Sequence, residues 1–90
     1  MTKQAVEAAV ARIREMEACF DLLQTMAEQH PEACRKPFFQ ALLGRLTRYY
    51  AGGQWLRDYR LDEQGLLPAD LKRGVLSEDG VYDFLTSIQT

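Results

Sequence analysis

Apolar side chains recur at alternating steps of three and four through Val6, Ala9, Ile13, Met16, Phe20, Leu23 and Ala27. That spacing lines one face of an α-helix. Val10, Cys19, Leu22 and Met26 widen the stripe beyond a coiled-coil seam, which favours packing inside a globule. No Gly or Pro interrupts it, Thr2 is placed to cap its start, and Pro31 forces a break near His30. One helix is therefore predicted over 3–30. A second is predicted over 37–51. Pro37 suits a first helical position, Phe39, Leu42, Leu46 and Tyr49 make one stripe, and Gly52-Gly53 ends it. Phe38, Leu43 and Tyr50 flank that stripe. The short connection at 31–36 makes the two helices antiparallel neighbours.

Residues 52–76 are less regular and read as an ordered connector with short helices. Gln54 to Leu61 suits a short helix with Trp55, Leu56 and Tyr59 inward. Asp62-Glu63-Gln64-Gly65 has the pattern of a type I turn. Pro68 to Arg73 suits one and a half helical turns, with Gly74 just past the end. Ser77 then caps a last helix over 77–88, whose apolar face is Val81, Phe84, Leu85 and Ile88. Glu78 and Asp79 sit where the helix dipole favours negative charge. The pattern is that of an all-α fold in a single domain, 1–90, with no internal repeat.

Length adds a packing constraint. The first helix would be about 42 Å long, against roughly 30 Å for the width of a globule of this size. The second helix covers only part of it. Something else must cover Val6, Val10 and Ile13, and the candidates are the last helix or a second subunit. A monomer and a homodimer are both open.

Composition is that of a globular protein, 47% hydrophobic and 27% charged, with a net charge of −2. A general binder of nucleic acid or anionic membrane usually carries a large positive excess. Charge is uneven: residues 31–75 carry eight basic and five acidic side chains, and residues 76–90 carry three acidic and none basic. Two cysteines fifteen apart, Cys19 and Cys34, with one histidine, His30, match no zinc spacing. No metal, cofactor or disulfide is expected. The amphipathic start lacks the apolar core of a signal peptide. No stretch approaches a membrane span. A cytoplasmic protein with reduced thiols is the expectation.

From Tyr49 onward a denser pattern appears. It runs Tyr49-Tyr50, Trp55, Asp58-Tyr59, Asp62-Glu63, Gly65 and Leu67-Pro68. It continues through Asp70-Leu71-Lys72-Arg73-Gly74-Val75-Leu76-Ser77-Glu78-Asp79 to Tyr82-Asp83. This resembles the bacterial domain-of-unknown-function family 4298, densely over 49–85 and loosely over the first 48 residues. Ala51-Gly52-Gly53-Gln54 departs from the family pattern, which usually has one Gly followed by Ser and acidic residues. The resemblance implies a bacterial protein and a shared fold. It implies no activity, and no catalytic residue is carried over.

The side chains suggest little chemistry. Asp58, Asp62, Asp70, Glu78 and Asp79 each have an ordinary local use, whereas acid–base or magnesium sites need converging carboxylates. Lys72-Arg73 beside Gly74 lacks the Gly-spaced amides of a phosphate cradle. Arg45, Arg48, Tyr49, Tyr50, Trp55, Arg57 and Arg60 mix basic and aromatic groups as a nucleic-acid surface would, but Tyr49 and Trp55 fall on apolar faces. A cysteine nucleophile would need a basic partner, and nothing fixes His30 nearby. The reading is a non-enzymatic protein-binding or adaptor module, with a weak nucleic-acid binder as the alternative and a small enzyme third. The candidate interaction surface is Asp58, Lys72, Arg73 and Glu78, presented by the 52–79 segment.

Overall fold

The computed structural model describes residues 2–89. Helix α1, Lys3–Gln29, opens on Thr2, whose hydroxyl accepts the Ala5 N–H at 3.1 Å. It ends at His30, immediately before the 3-10 turn Pro31–Arg35. Helix α2, Pro37–Ala51, returns antiparallel to α1. The Cys19 thiol donates to the Leu42 carbonyl, while Glu15, one turn earlier, meets Arg45, one turn later. Ala9, Ile13, Phe20 and Leu23 of α1 and Phe39, Leu46 and Tyr49 of α2 are buried between them. No strand occurs among the described residues. The fold is all-α, as the periodicity predicts.

Helix α3, Gln54–Glu63, follows a two-glycine corner. Gly53 has φ 95°, a left-handed conformation that glycine adopts without steric cost. The inward face of α3 is Trp55, Asp58 and Leu61. Leu56, expected inward, is exposed, because it lies one residue, about 100°, off that face. The turn expected over Asp62–Gly65 closes, from the Gly65 N–H to the Asp62 carbonyl, but as the last turn of a helix and not as a separate turn. Helix α3 runs on through Glu63 and closes on Gly65 (φ 71°). The Leu66 N–H reaches the Leu61 carbonyl and the Gly65 N–H the Asp62 carbonyl, the paired bonds of a Schellman cap.

Beyond the cap the chain is irregular, a series of bends and turns, with Leu67 and Leu71 buried. The helical turns expected over Pro68–Arg73 do not form. Only one tight turn closes, from the Leu71 N–H to the Pro68 carbonyl. The Arg73 side chain takes the carbonyls a helix would have used. Gly74 opens a second 3-10 turn, Gly74–Leu76, rather than terminating a helix. Ser77 then caps α4, Glu78–Gln89, through its hydroxyl and the Gly80 N–H at 3.2 Å.

Helix α4 lies against the C-terminal half of α1. The Phe84 ring stands edge-on to Phe20 at 5.5 Å, and Phe84 and Ile88 share a shallow hollow with Gln24, Ala27 and Glu28. It therefore does not cover Val6 and Val10, which rules out the last helix, one of the two candidates that the length argument named. At the N-terminal half of α1, Arg12 is engaged by α3, and Pro68 of the connector stands beside Val6 and Val10. The domain measures 43 × 22 × 18 Å. Helix α1, about 40 Å long, spans the whole long axis.

Candidate functional site

Asp58 is 0% exposed. Its carboxylate accepts from Arg12 Nε at 2.9 Å, Arg12 Nη2 at 2.5 Å and the Tyr49 hydroxyl at 2.7 Å. Three helices meet at this one carboxylate. The expectation of an exposed Asp58 on a binding surface is corrected. The position lies three residues after Trp55, on the buried face of α3, and its charge is matched by a bidentate guanidinium. Burial, then the bond to Asp58, pushes the Tyr49 phenol far above its ordinary range. The same carboxylate, through its hydrogen bonds, holds the Arg12 guanidinium even more firmly protonated. A sealed carboxylate with all its nearest donors from the protein ties the fold together and presents no open oxygen to a substrate.

A second tie joins α1 to the connector. The Glu17 carboxylate accepts the buried Val75 N–H at 2.6 Å. A Cβ at Gly74 would stand 2.7 Å from Glu17 Oε1, so a larger residue there would push the carboxylate off its bond to the Val75 N–H. The Trp55 indole N–H donates to the Val75 carbonyl at 2.8 Å. Both backbone groups of Val75 are therefore held by side chains, one from α1 and one from α3.

Arg73 folds back on its own segment. Its Nε donates to Asp62 Oδ1 at 2.6 Å, Nη1 to the Leu71 carbonyl at 2.8 Å and Nη2 to the Pro68 carbonyl at 2.8 Å. With a longer bond from Nη1 to the Ala69 carbonyl at 3.4 Å, it is a clamp that substitutes for helical hydrogen bonding, its planar fork spread over four acceptors. Its carboxylate partner is Asp62 of α3 and not one of the acidic side chains of α4.

Lys72 and Glu78 are exposed. Lys72, with Asp70, forms one wall of a cleft of about 290 Å³ whose other wall is Arg14, Ala18 and Asp21 of α1. Glu78 stands in the first turn of α4 and does not line that cleft. The four side chains predicted as one surface are thus dispersed: Asp58 in the core, Arg73 in the connector's own clamp, Lys72 in the cleft and Glu78 at a helix start. Arg14 and Asp21, on the far wall, carry no sequence signal except their place seven residues apart on α1.

The aromatic groups weigh on the nucleic-acid alternative. Trp55 is buried, with Tyr59 stacked on it at 5.1 Å and Tyr50 edge-on at 5.1 Å. Tyr49 is in the core and Arg45 is paired with Glu15. Those faces are engaged inside the protein, whereas base stacking requires open ones. Among the described residues no cluster of three His, Cys, Asp or Glu side chains could hold a metal. Cys19 and Cys34 are free thiols. No helix is long and apolar enough to cross a membrane among the described residues.

The structure defines a small all-α domain whose irregular connector is tied to α1 and α3 by buried polar side chains. The family model described as "Domain of unknown function (DUF4298)" matches residues 13–90, and the chain belongs to that family. No curated protein and no solved structure matches it.

Proposed function

We propose that this chain is a non-enzymatic protein-binding module of the bacterial cytoplasm, and that its binding face is the cleft between the connector and α1. The observation that carries this reading is the cleft itself. Lys72 and Asp70 stand on one wall and Arg14 and Asp21 on the other. None of the four has an ion-pair partner among the described residues. Exposed charges of both signs facing one hollow suit a protein segment carrying the opposite charges in register, since such arrangements steer encounter and select orientation. The wall that carries Lys72 is rigid, because Leu71 is buried and the Arg73 clamp fixes the backbone on either side. A preorganised wall costs less ordering on binding.

An enzyme is a poorer fit. The most buried carboxylate, Asp58, is consumed by its own partners, and the cleft pairs cations with anions instead of converging like groups on one point. The test is capture from a bacterial lysate by the immobilised chain, followed by binding of the captured protein in purified form. The double variant Asp70→Ala, Lys72→Ala is expected to keep its melting temperature and lose that binding. Undiminished binding by the double variant overturns the assignment to this cleft.

A further inference from the structure

We infer that the N-terminal half of α1 is the seat of a second copy of this chain, paired antiparallel about a two-fold axis near Val10 and Ala11. This face shares Arg14 and, at its far end, Asp21 with the cleft of the proposed function, whose other wall, Asp70 and Lys72, it leaves free.

Val6 and Val10 belong to the apolar stripe of α1 but are only partly buried. With Pro68 they line an open, mainly apolar groove of about 440 Å³, bordered by Lys3, Glu7 and Arg14. No residue of α2 or α4 lines it. Lys3, Glu7, Val10 and Arg14 follow one another at steps of four, three and four, so they form one continuous line along the helix.

The charges on that line identify the occupant. Lys3, Glu7, Arg14 and, two turns further along, Asp21 read plus, minus, plus, minus. Reversed, the same line reads minus, plus, minus, plus, so it complements itself in the antiparallel sense. Placing the axis between Val10 and Ala11 sets Glu7 opposite Arg14 of the partner subunit, and Val10 against the partner's Ala11. Lys3 then comes within one helical turn of the partner's Asp21. A parallel pairing in register would set like charges against each other. All four charges lack an ion-pair partner in the monomer among the described residues. An isologous interface requires this self-complementarity. Pairing over residues 3–18 runs about 24 Å, a short contact that places the dimer among small, reversible interfaces.

Sedimentation equilibrium of the purified chain from about 10 to about 500 μM is the test. A reversible dimer is expected. Glu7→Arg sets two positive charges against each other in both symmetric pairs and should weaken the dimer by about 3- to 30-fold. Adding Arg14→Glu to the same chain re-creates the pair with signs exchanged and should restore affinity to within about threefold. Glu7 and Arg14 are exposed, so both variants should show the parent's helical spectrum. A monomer throughout the range, an unchanged dimer in Glu7→Arg, or a double variant as weak as the single one overturns the inference. Lys72→Ala should leave the dimer intact whether or not the cleft binds its partner, which separates the two proposals.

Discussion

Asp58→Ala removes the one acceptor that Arg12 and Tyr49 share, and the size of the loss can be worked from their surroundings. The Arg12 side chain is 30% exposed. Freed from Asp58, its guanidinium can swing toward water, so it does not carry the full penalty of an unpaired buried charge. The Tyr49 hydroxyl has no such exit, since the residue is 3% exposed, and an orphaned buried donor costs about 1–3 kcal/mol. Loss of the charge-assisted bonds and of the packed carboxylate brings the total to about 3–4 kcal/mol, near the lower end for a broken buried pair. A domain of this length has about 5–13 kcal/mol of stability in all. The melting temperature should therefore fall by about 12–30 °C, read by circular dichroism at the helical minimum. Asp58→Asn keeps a carbonyl acceptor for Tyr49 and should lose less. The triple variant Arg12→Met, Tyr49→Phe, Asp58→Leu, which removes every polar member, should recover much of the loss because no desolvated group is left unpaired. An Asp58→Ala protein melting within about 5 °C of the parent would refute the reasoning, since it would mean the carboxylate is not the junction of the three helices.

The Tyr49 phenol is raised above its ordinary value by burial and by Asp58, so unfolded chains lose that proton near pH 10 while folded ones keep it. The stability it confers is whole below about pH 10 and is lost as pH rises beyond it; urea unfolding should show a steeper alkaline decline in the parent than in Tyr49→Phe. Arg73→Ala should lower stability by about 1–2 kcal/mol because three connector contacts go at once, while Lys72→Ala should stay within about 0.5 kcal/mol; equal effects in thermal melts would contradict the clamp. Gly74→Ala pushes on Glu17 Oε1 and should cost about 1–3 kcal/mol by breaking the bond to the Val75 N–H, with that amide's hydrogen exchange accelerated. Burial raises the Cys19 thiol above its ordinary range, so a thiol reagent should label Cys34 first; faster labelling of Cys19 would place it nearer the surface than the structure does.

The helices were legible because each rests on a local rule. Period, Thr2, Pro31, Pro37 and Ser77 fix α1, α2 and α4 to within a residue or so. The connector was not, for a physical reason. Pro68–Arg73 has the local signals of a short helix, but its carbonyls are taken by the Arg73 fork, a tertiary event that no local window contains. Asp58 was misplaced for a related reason. A carboxylate is read as a surface group by default, and only the partnership with Arg12, 46 residues away, reverses that. Its position three after Trp55 was the available signal. Glu17 was invisible in the same way, its partner being a backbone amide 58 residues distant. Lys72 and Glu78 are exposed, as charged side chains with no long-range partner are expected to be.

Six residues of the stretch from Trp55 to Val75 have a common feature once their contacts are known. Trp55, Asp58, Asp62, Arg73, Gly74 and Val75 each take part in a contact that fixes the irregular connector against α1 or α3, or α3 itself against α1. A 90-residue chain buries a smaller share of its surface than a larger domain does, and its connector lacks the repetitive backbone bonding that helices supply. Side chains must then do what a ladder of hydrogen bonds does elsewhere, and few residue types can: a guanidinium for several carbonyls, a carboxylate for an amide, an indole for one more. Within the run from Asp70 to Asp79, Arg73, Gly74 and Val75 therefore specify backbone shape, while Asp70 and Lys72 face the cleft. It follows that alanine scanning across this run should sort its members by melting temperature, Arg73 and Gly74 falling with the core and Asp70 and Lys72 staying with the parent, and that a change in partner binding without a change in melting should be confined to the second group. If Arg73→Ala abolished binding at an unchanged melting temperature, the clamp would be part of the binding face, and the separation of scaffold from surface argued for this connector would fail.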